Sequence, residues 1–341
     1  MTLDLTPTPD LVAVLDAAQS MLDTHYPVSR MHFDTGNDFC IDPLTPLAEF
    51  GTFMLAMPEE QGGAGLTVIE EARLHAAFGR HLLSPSVLAT TIATRITLQA
   101  GQPDLSRQIS DGDCLVASGV ADRGANGTSL NTGDLLLIDP ENVKFALFRD
   151  ANDTKLIPLE TAQISFATGL GHFRKMARAS GVQTGSSHLF ATPYIGLLHQ
   201  LLCSAQLLGV AEGARDLAVE YALTREQFGR PIGSFQAIKH HCSNMAIEAE
   251  MLSAQLDFAA ISLNEGAFDC EFQIAALARL APRIALHNAR LCIQIHGGIG
   301  FSAEADAHLY LKQAHLLRAL VAGPDLLTKP APLAPHGKAA R

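Results

Sequence analysis

Apolar residues recur every three or four positions through LVAVLDAAQSMLDTHY (residues 11–26), the spacing of a helix that buries one face. Pro7 to Asp10 supply its start signal. The same period runs through VIEEARLHAAFGRHLL (68–83), which Thr67 caps and which ends near Pro85, and through LATTIATRITLQA (88–100), which stops at Gly101. Pro58, Gly62, Gly63 and Gly65 mark a loop before them. From about Gly112 the period changes. CLVASGV (114–120), DLLLI (134–138), VKFALF (143–148) and TKLIPL (154–159) are short apolar or alternating runs. Turn formers separate them: Asn126-Gly127, Asn131 to Gly133, and Asp139-Pro140. The stretch to residue 188 reads as a reduced β domain of five to seven strands.

Helical spacing returns after Pro193. One helix is predicted over about 194–223, followed by the loop TREQFGRPIG (224–233). Ser234 is the predicted N-cap of a second helix, FQAIKHHCSNMAIEAEMLSAQLDFAAISL (235–263), which Glu265-Gly266 breaks. A third spans about 269–295 and ends at Gly297-Gly298; a fourth, AEADAHLYLKQAHLLRALV (303–321), ends at Gly323-Pro324. Four long amphipathic helices with short connections predict a four-helix bundle. The chain thus divides into an N-terminal helical domain (1–111), a middle β domain (112–188), a C-terminal bundle (189–325) and a Pro- and Ala-rich tail (326–341): mainly α with a small β domain.

Composition narrows the possibilities. Of 341 residues 48% are hydrophobic and 17% charged, which excludes disorder. The net charge of −11, with no Lys/Arg cluster, excludes a nucleic-acid partner. There is no run of about 18 apolar residues, so no membrane span is expected. The start, MTLDLTPTPD, lacks the basic and apolar regions of a signal peptide, and a cytoplasmic protein is expected. Cys40, Cys114, Cys203, Cys242, Cys270 and Cys292 have neither disulfide-framework nor zinc spacing and read as small buried hydrophobes. No metal motif appears among the 14 histidines; His240 and His241 are adjacent and point about 100° apart on a helix. Lys239 to His241 read as structural or interfacial, and Glu248 and Glu250 as a solvated face.

Three segments carry a resemblance: MPEEQGGAGL (57–66), REQFGRPIGSFQAIKH (225–240), and QIHGGIGF (294–301) followed by Glu304, His308, Leu309 and Tyr310. In this order and near these spacings the chain resembles the acyl-CoA dehydrogenase family over about residues 45–323. HLLSPS (81–86) and GFSAEADAHLYLKQA (300–314) resemble a bacterial branch of short, divergent subunits, several of which act in steroid side-chain or ring degradation. The resemblance implies a helical domain, a β domain and a helical bundle, with FAD as cofactor. It implies Cα–Cβ desaturation of an acyl-CoA thioester, with electrons passing to an electron-transferring flavoprotein.

By the same resemblance, Arg225 approaches the FAD pyrophosphate of a neighbouring subunit, a task suited to a planar guanidinium. Phe228 and Gly229 continue that motif, and Gln236 bonds the cofactor. Gln294, Gly297 and Gly298, in a Q-x-x-G-G-x-G string with Gly300, touch its adenosine part; glycines there let backbone N–H groups approach closely. The usual catalytic Glu is missing. Its commonest position, counted from Gly300, falls on Val321, or on Ala322 with one gap. A second family position falls on His199, followed by Gln200 where the family usually has Arg. Neither Glu nor Asp occurs between Glu160 and Glu212. His199 is either a substitute base or a packed histidine between Leu197, Leu198, Leu201 and Leu202. Asp325 falls beyond the fourth helix, and Glu304 matches a position in that helix's first turn. The segment expected to clasp the chain's own flavin is here GVADRGANGTS (119–129) and departs from the family pattern. The expected function is therefore a divergent, non-catalytic partner in a heteromeric (α2β2) acyl-CoA dehydrogenase. It would complete the FAD site of a second subunit that also supplies the base and binds the acyl-CoA. An active homo-oligomer with an unrecognised base and an FAD-free scaffold are the alternatives.

Overall fold

The computed structural model describes residues 9–32, 42–121, 134–150, 153–167, 169, 173–182 and 188–321. Among the described residues five α-helices form the N-terminal domain: α1 (Pro9–His25), α2 (Thr45–Glu49), α3 (Val68–Arg80), α4 (Pro85–Gln99) and α5 (Pro103–Ser110). Local chemistry fixes their starts. The Thr67 hydroxyl accepts from the Ile69 N–H while the Glu70 carboxylate accepts from the Thr67 N–H at 2.9 Å, a reciprocal cap on α3. Ser84 caps α4, and Pro85, at a position whose N–H has no helical partner, begins it. The periodicity does not predict the eight-residue α5, which Pro103 opens in the same way.

The four alternating runs appear as β1 (Leu115–Ala121), β2 (Leu135–Ile138), β3 (Val143–Arg149) and β4 (Thr154–Pro158). With β5 (Gln163–Ala167), β6 (Met176–Ser180) and β7 (Leu189–Phe190) they make one seven-stranded sheet of order β5-β6-β2-β1-β3-β4-β7. Among the described strand pairs, only β1 and β3 run parallel. The turn sequences at 126–133, the flavin-clasping candidate beyond Ala121, Cys40, Ala322, Asp325 and the tail lie outside the described residues.

The bundle consists of α6 (Pro193–Thr224), α7 (Gln236–Asn264), α8 (Cys270–His296) and α9 (Ala307–Leu320), with a two-strand hairpin, β8 (Glu226–Gln227) and β9 (Arg230–Pro231), between α6 and α7. Two boundary expectations are corrected. Ser234 does not cap α7: Ile232–Ser234 form a 3₁₀ turn, and Phe235, in an extended conformation and without a side-chain cap, precedes the helix. Residues 303–306 do not belong to α9, so Glu304 stands exposed before the helix rather than in its first turn. By length and composition α6 could cross a membrane, yet 89% of its most apolar window is buried inside the protein. It is the core helix of the fold. Among the described cysteines, Cys114, Cys203 and Cys292 are buried and all five are free.

Two devices hold the layers together. Asp42 and the wholly buried Arg174 clamp the N-terminal domain to the sheet. Arg174 reaches the Asp42 carboxylate at 3.1 Å and the Leu82 carbonyl at 2.5 Å, while Arg30 donates to the other Asp42 oxygen at 2.9 Å. Burial alone would raise the Asp42 carboxyl, but the two guanidiniums hold it below its ordinary value. The second device is the crossing of α3 over α6. A methyl added at Gly79 would fall on the Gln206 carbonyl of α6, and one at Gly209 on the Ala76 carbonyl of α3. The backbones touch because neither helix carries a side chain at the crossing. Gly209→Ala should therefore destabilise the chain by about 1–3 kcal/mol through overpacking. Thermal melting of the variant checks this, with Gly298→Ala as control. An added methyl at Gly298 meets nothing within 4 Å, so its melting temperature should match the wild type.

Candidate functional site

The C-terminal ends of α6 and α8 emerge side by side because the Tyr221 ring stacks on the His296 ring, with centroids 4.1 Å apart. Four residues beyond Tyr221, Arg225 closes α6: its N–H donates to the Tyr221 carbonyl at 2.9 Å, and its backbone then turns extended. The Ile232 N–H donates to the Arg225 carbonyl at 2.8 Å and closes the β8–β9 hairpin over the helix end. Phe228 and Gly229 make the two-residue turn, with φ of 54° and 76°. This primed geometry suits the right-handed twist of a hairpin. A phenylalanine in the left-handed region costs roughly 1 kcal/mol. Its side chain is 92% exposed, so within this chain it recovers little of that cost. Its one ring contact is an edge-on approach to Phe235 at 6.1 Å, and the Arg230 guanidinium covers the Phe235 ring at 4.2 Å.

Gln236 begins α7 and is exposed. Gln294 lies exposed in the last turn of α8. Gly297, at φ 64° and ψ −140°, then directs the chain into a 3₁₀ turn over Gly297–Phe301, in a conformation nearly confined to glycine. Leu223, Ile299 and Phe301 are exposed on the same elements, Phe301 by 75%. The candidate cofactor residues therefore face outward. They fit a dinucleotide offered from outside this chain: a guanidinium for phosphate, an aromatic ring and apolar neighbours for a planar ring system, amide side chains, and bare backbone at Gly298. Tyr221, outside the three motifs, and His296, at a variable position of the third, hold the two helix ends together. Only their distance in the fold reveals them.

The base positions present the opposite environment. Val321 follows α9, buried and aliphatic. His199, in the second turn of α6, is buried, and its Nδ1 has no hydrogen-bond partner. Burial, reinforced by the positive charge of Arg149, lowers its pKa to about 3. A general base works best with a pKa near the operating pH, so a histidine this reluctant to take a proton is a packed side chain. Gln200 is buried beside it, and burial raises the Cys203 thiol one turn on. Glu248 is not simply solvated, for it accepts from or pairs with His287 at 2.6 Å; Glu250, Lys239 and His240 are exposed. Among the described residues no three His, Cys, Asp or Glu side chains converge as a metal site.

His199 also has a consequence for stability. Its folded pKa lies below its ordinary 6.5, so unfolding takes up a proton as the solution acidifies. Its contribution is present above pH 6.5 and is lost as pH falls toward 3. The melting temperature of His199→Leu should fall less than that of the wild type between pH 6.5 and 4. Equal slopes would mean that the imidazole is open to protons.

Family comparison follows the same division of the chain. The acyl-CoA dehydrogenase N-terminal domain model matches residues 8–109, and the C-terminal domain model matches residues 198–325. Among curated relatives, acyl-CoA dehydrogenase FadE34 of Mycobacterium tuberculosis is 32% identical over 314 residues, covering 85% of this chain and 42% of the relative. The chain thus spans less than half of FadE34. Acyl-CoA dehydrogenase IpdE2 of the same organism is 32% identical over 277 residues, covering 78% of each chain. Among solved structures, the ChsE4-ChsE5 complex from Mycobacterium tuberculosis superposes with a TM-score of 0.77 at 21% identity, covering 94% of this chain and 95% of that one, a likeness of fold. Helical domain, middle sheet, four-helix bundle and both domain matches agree: this chain belongs to the acyl-CoA dehydrogenase family, whose members are FAD-dependent oxidoreductases.

Proposed function

We propose that this chain is the non-catalytic partner in a heteromeric acyl-CoA dehydrogenase, arranged as α2β2, and that it completes the FAD site of the second subunit. The observation that carries this reading is a contrast within one helix. At one end of α6 the base position holds His199, buried and held neutral; at the other, Arg225 and Phe228 stand exposed, the phenyl ring meeting among the described residues only an edge contact with Phe235. Val321, aliphatic and buried, leaves the other base position equally unable to take a proton.

Bound FAD supplies the acceptor for the hydride that leaves Cβ of the acyl group. In this reading Arg225 would neutralise and orient the pyrophosphate, Phe228 and Phe301 would shield the cofactor from water, Gln236 would hydrogen-bond it, and Gln294 would face its adenosine part. The backbone at Gly297 and Gly298 admits the adenosine side at close range. The second subunit supplies the carboxylate base and holds the thioester. An electron-transferring flavoprotein is the proposed electron acceptor of the complex. Resemblance to the steroid-degrading branch makes a steroid-derived thioester the proposed substrate, and the cytoplasm the proposed compartment.

Two variants of the co-expressed complex test these assignments. Arg225→Ala removes charge-assisted hydrogen bonds and should weaken flavin retention about tenfold or more, measured by flavin absorbance after dilution and gel filtration. Undiminished retention would remove Arg225 from the cofactor site. His199→Leu should leave the rate of acyl-CoA oxidation and its pH profile unchanged, whereas a substitute base would lose the rate by orders of magnitude.

A further inference from the structure

A cavity of about 420 Å³ opens between α3, α4, the start of α6 and the loop at residues 56–61. That is within the range of small-molecule sites. Its mouth is polar and exposed, with Gln61, Gln99, Thr192 and Tyr194; its depth is apolar and buried, with Val68, Ile195 and Leu198. Into this apolar wall the fold places a charged pair. Arg95 donates to Glu71 Oε1 at 2.5 Å and to the Thr91 carbonyl at 3.0 Å. The second carboxylate oxygen, Oε2 of the wholly buried Glu71, has no hydrogen-bond partner among the described residues. Burial raises the Glu71 carboxyl above its ordinary range, and Arg95 only partly offsets this. A buried acceptor left unmatched costs about 1–3 kcal/mol. Arg95 also reaches the Phe53 carbonyl at 3.5 Å, but none of these contacts satisfies Glu71 Oε2, and apolar residues of similar volume would close the same wall without that cost.

We infer that this cavity is a second ligand site, independent of the outward-facing cofactor surface, and that it takes a small apolar molecule bearing a hydroxyl group. The hydroxyl donates to Glu71 Oε2, and its own oxygen is placed to accept from the Arg95 guanidinium or the Tyr194 phenol. The hydrocarbon body fills the space among Val68, Leu98, Ile195 and Leu198. A carboxylate ligand is disfavoured, because it would meet Glu71 beside the one cation. A purely apolar ligand would leave the acceptor unmatched and seal it further from water.

Titration calorimetry on the full-length chain, with 2-naphthol against 2-methylnaphthalene, tests the inference. The two probes match in shape and differ in the hydroxyl. The wild type should bind 2-naphthol about tenfold or more tightly than the hydrocarbon, the value of one hydrogen bond to a charged group. The double variant Glu71→Leu/Arg95→Leu, checked for folding by its melting curve, should lose or invert that preference. Ala56→Phe narrows the cavity wall without touching the pair and should weaken both probes, which keeps the test decisive should the double variant fail to fold. Equal affinity of the wild type for the two probes, no binding of either, or naphthol binding undisturbed by Ala56→Phe would each overturn the assignment. Flavin retention by the Arg225 variant moves independently of all of these.

Discussion

The rest of the structure depends on how closely α3 can approach α6. Gly79 and Gly209 face the opposite helix's carbonyls with no room for a methyl group. That contact sets the height of α6 against the N-terminal domain, and α6 carries both ends of the functional argument. Its first half passes under α3, α4 and the sheet and takes His199 out of water. Its last turn leaves the core and delivers Arg225 to the surface. The Asp42–Arg174–Arg30 clamp does the corresponding work for the sheet, fixing it against the turn at Leu82.

Burial and exposure divide the candidate positions into a buried half and an exposed half. The imidazole at position 199 is kept neutral by desolvation and by Arg149, two effects of the same sign. The hairpin at residues 226–231 does the reverse, holding a phenylalanine in an unfavourable backbone conformation with its ring in solvent. A chain whose surface is completed by another subunit gains the burial of Phe228, Phe301, Leu223 and Ile299 on assembly. In the proposed reading the cofactor lies in that seam.

Much of this was legible in the sequence, for physical reasons that can be named. The 3.6-residue period of the helices and the switch to alternation near Gly112 follow directly from one-sided burial. The Thr67 cap reads from the sequence, and the structure adds Glu70 as its reciprocal partner. Arg225, Phe228, Gly297 and Gly298 lie in motifs whose local backbone demands are strong. What the sequence left hidden depends on distance in space. Ser234 looks like a cap, but the 3₁₀ turn at Ile232–Ser234 moves the helix start past it. The α5 helix is too short to show a period. Glu71 and Arg95, 24 positions apart, meet only because α3 and α4 pack, and Tyr221 meets His296 only through the bundle. Neither pair leaves a mark on local patterning.

The claim at the centre of this account is that the chain needs a second subunit to hold a working flavin. The direct measurement is the flavin content and acyl-CoA oxidation of the chain purified alone and of its co-purified complex with a base-bearing acyl-CoA dehydrogenase subunit. The account predicts no turnover and no retained flavin for the chain alone, and one flavin for each pair of unlike chains in an active complex. Flavin-loaded, active chain in the absence of any partner would contradict it.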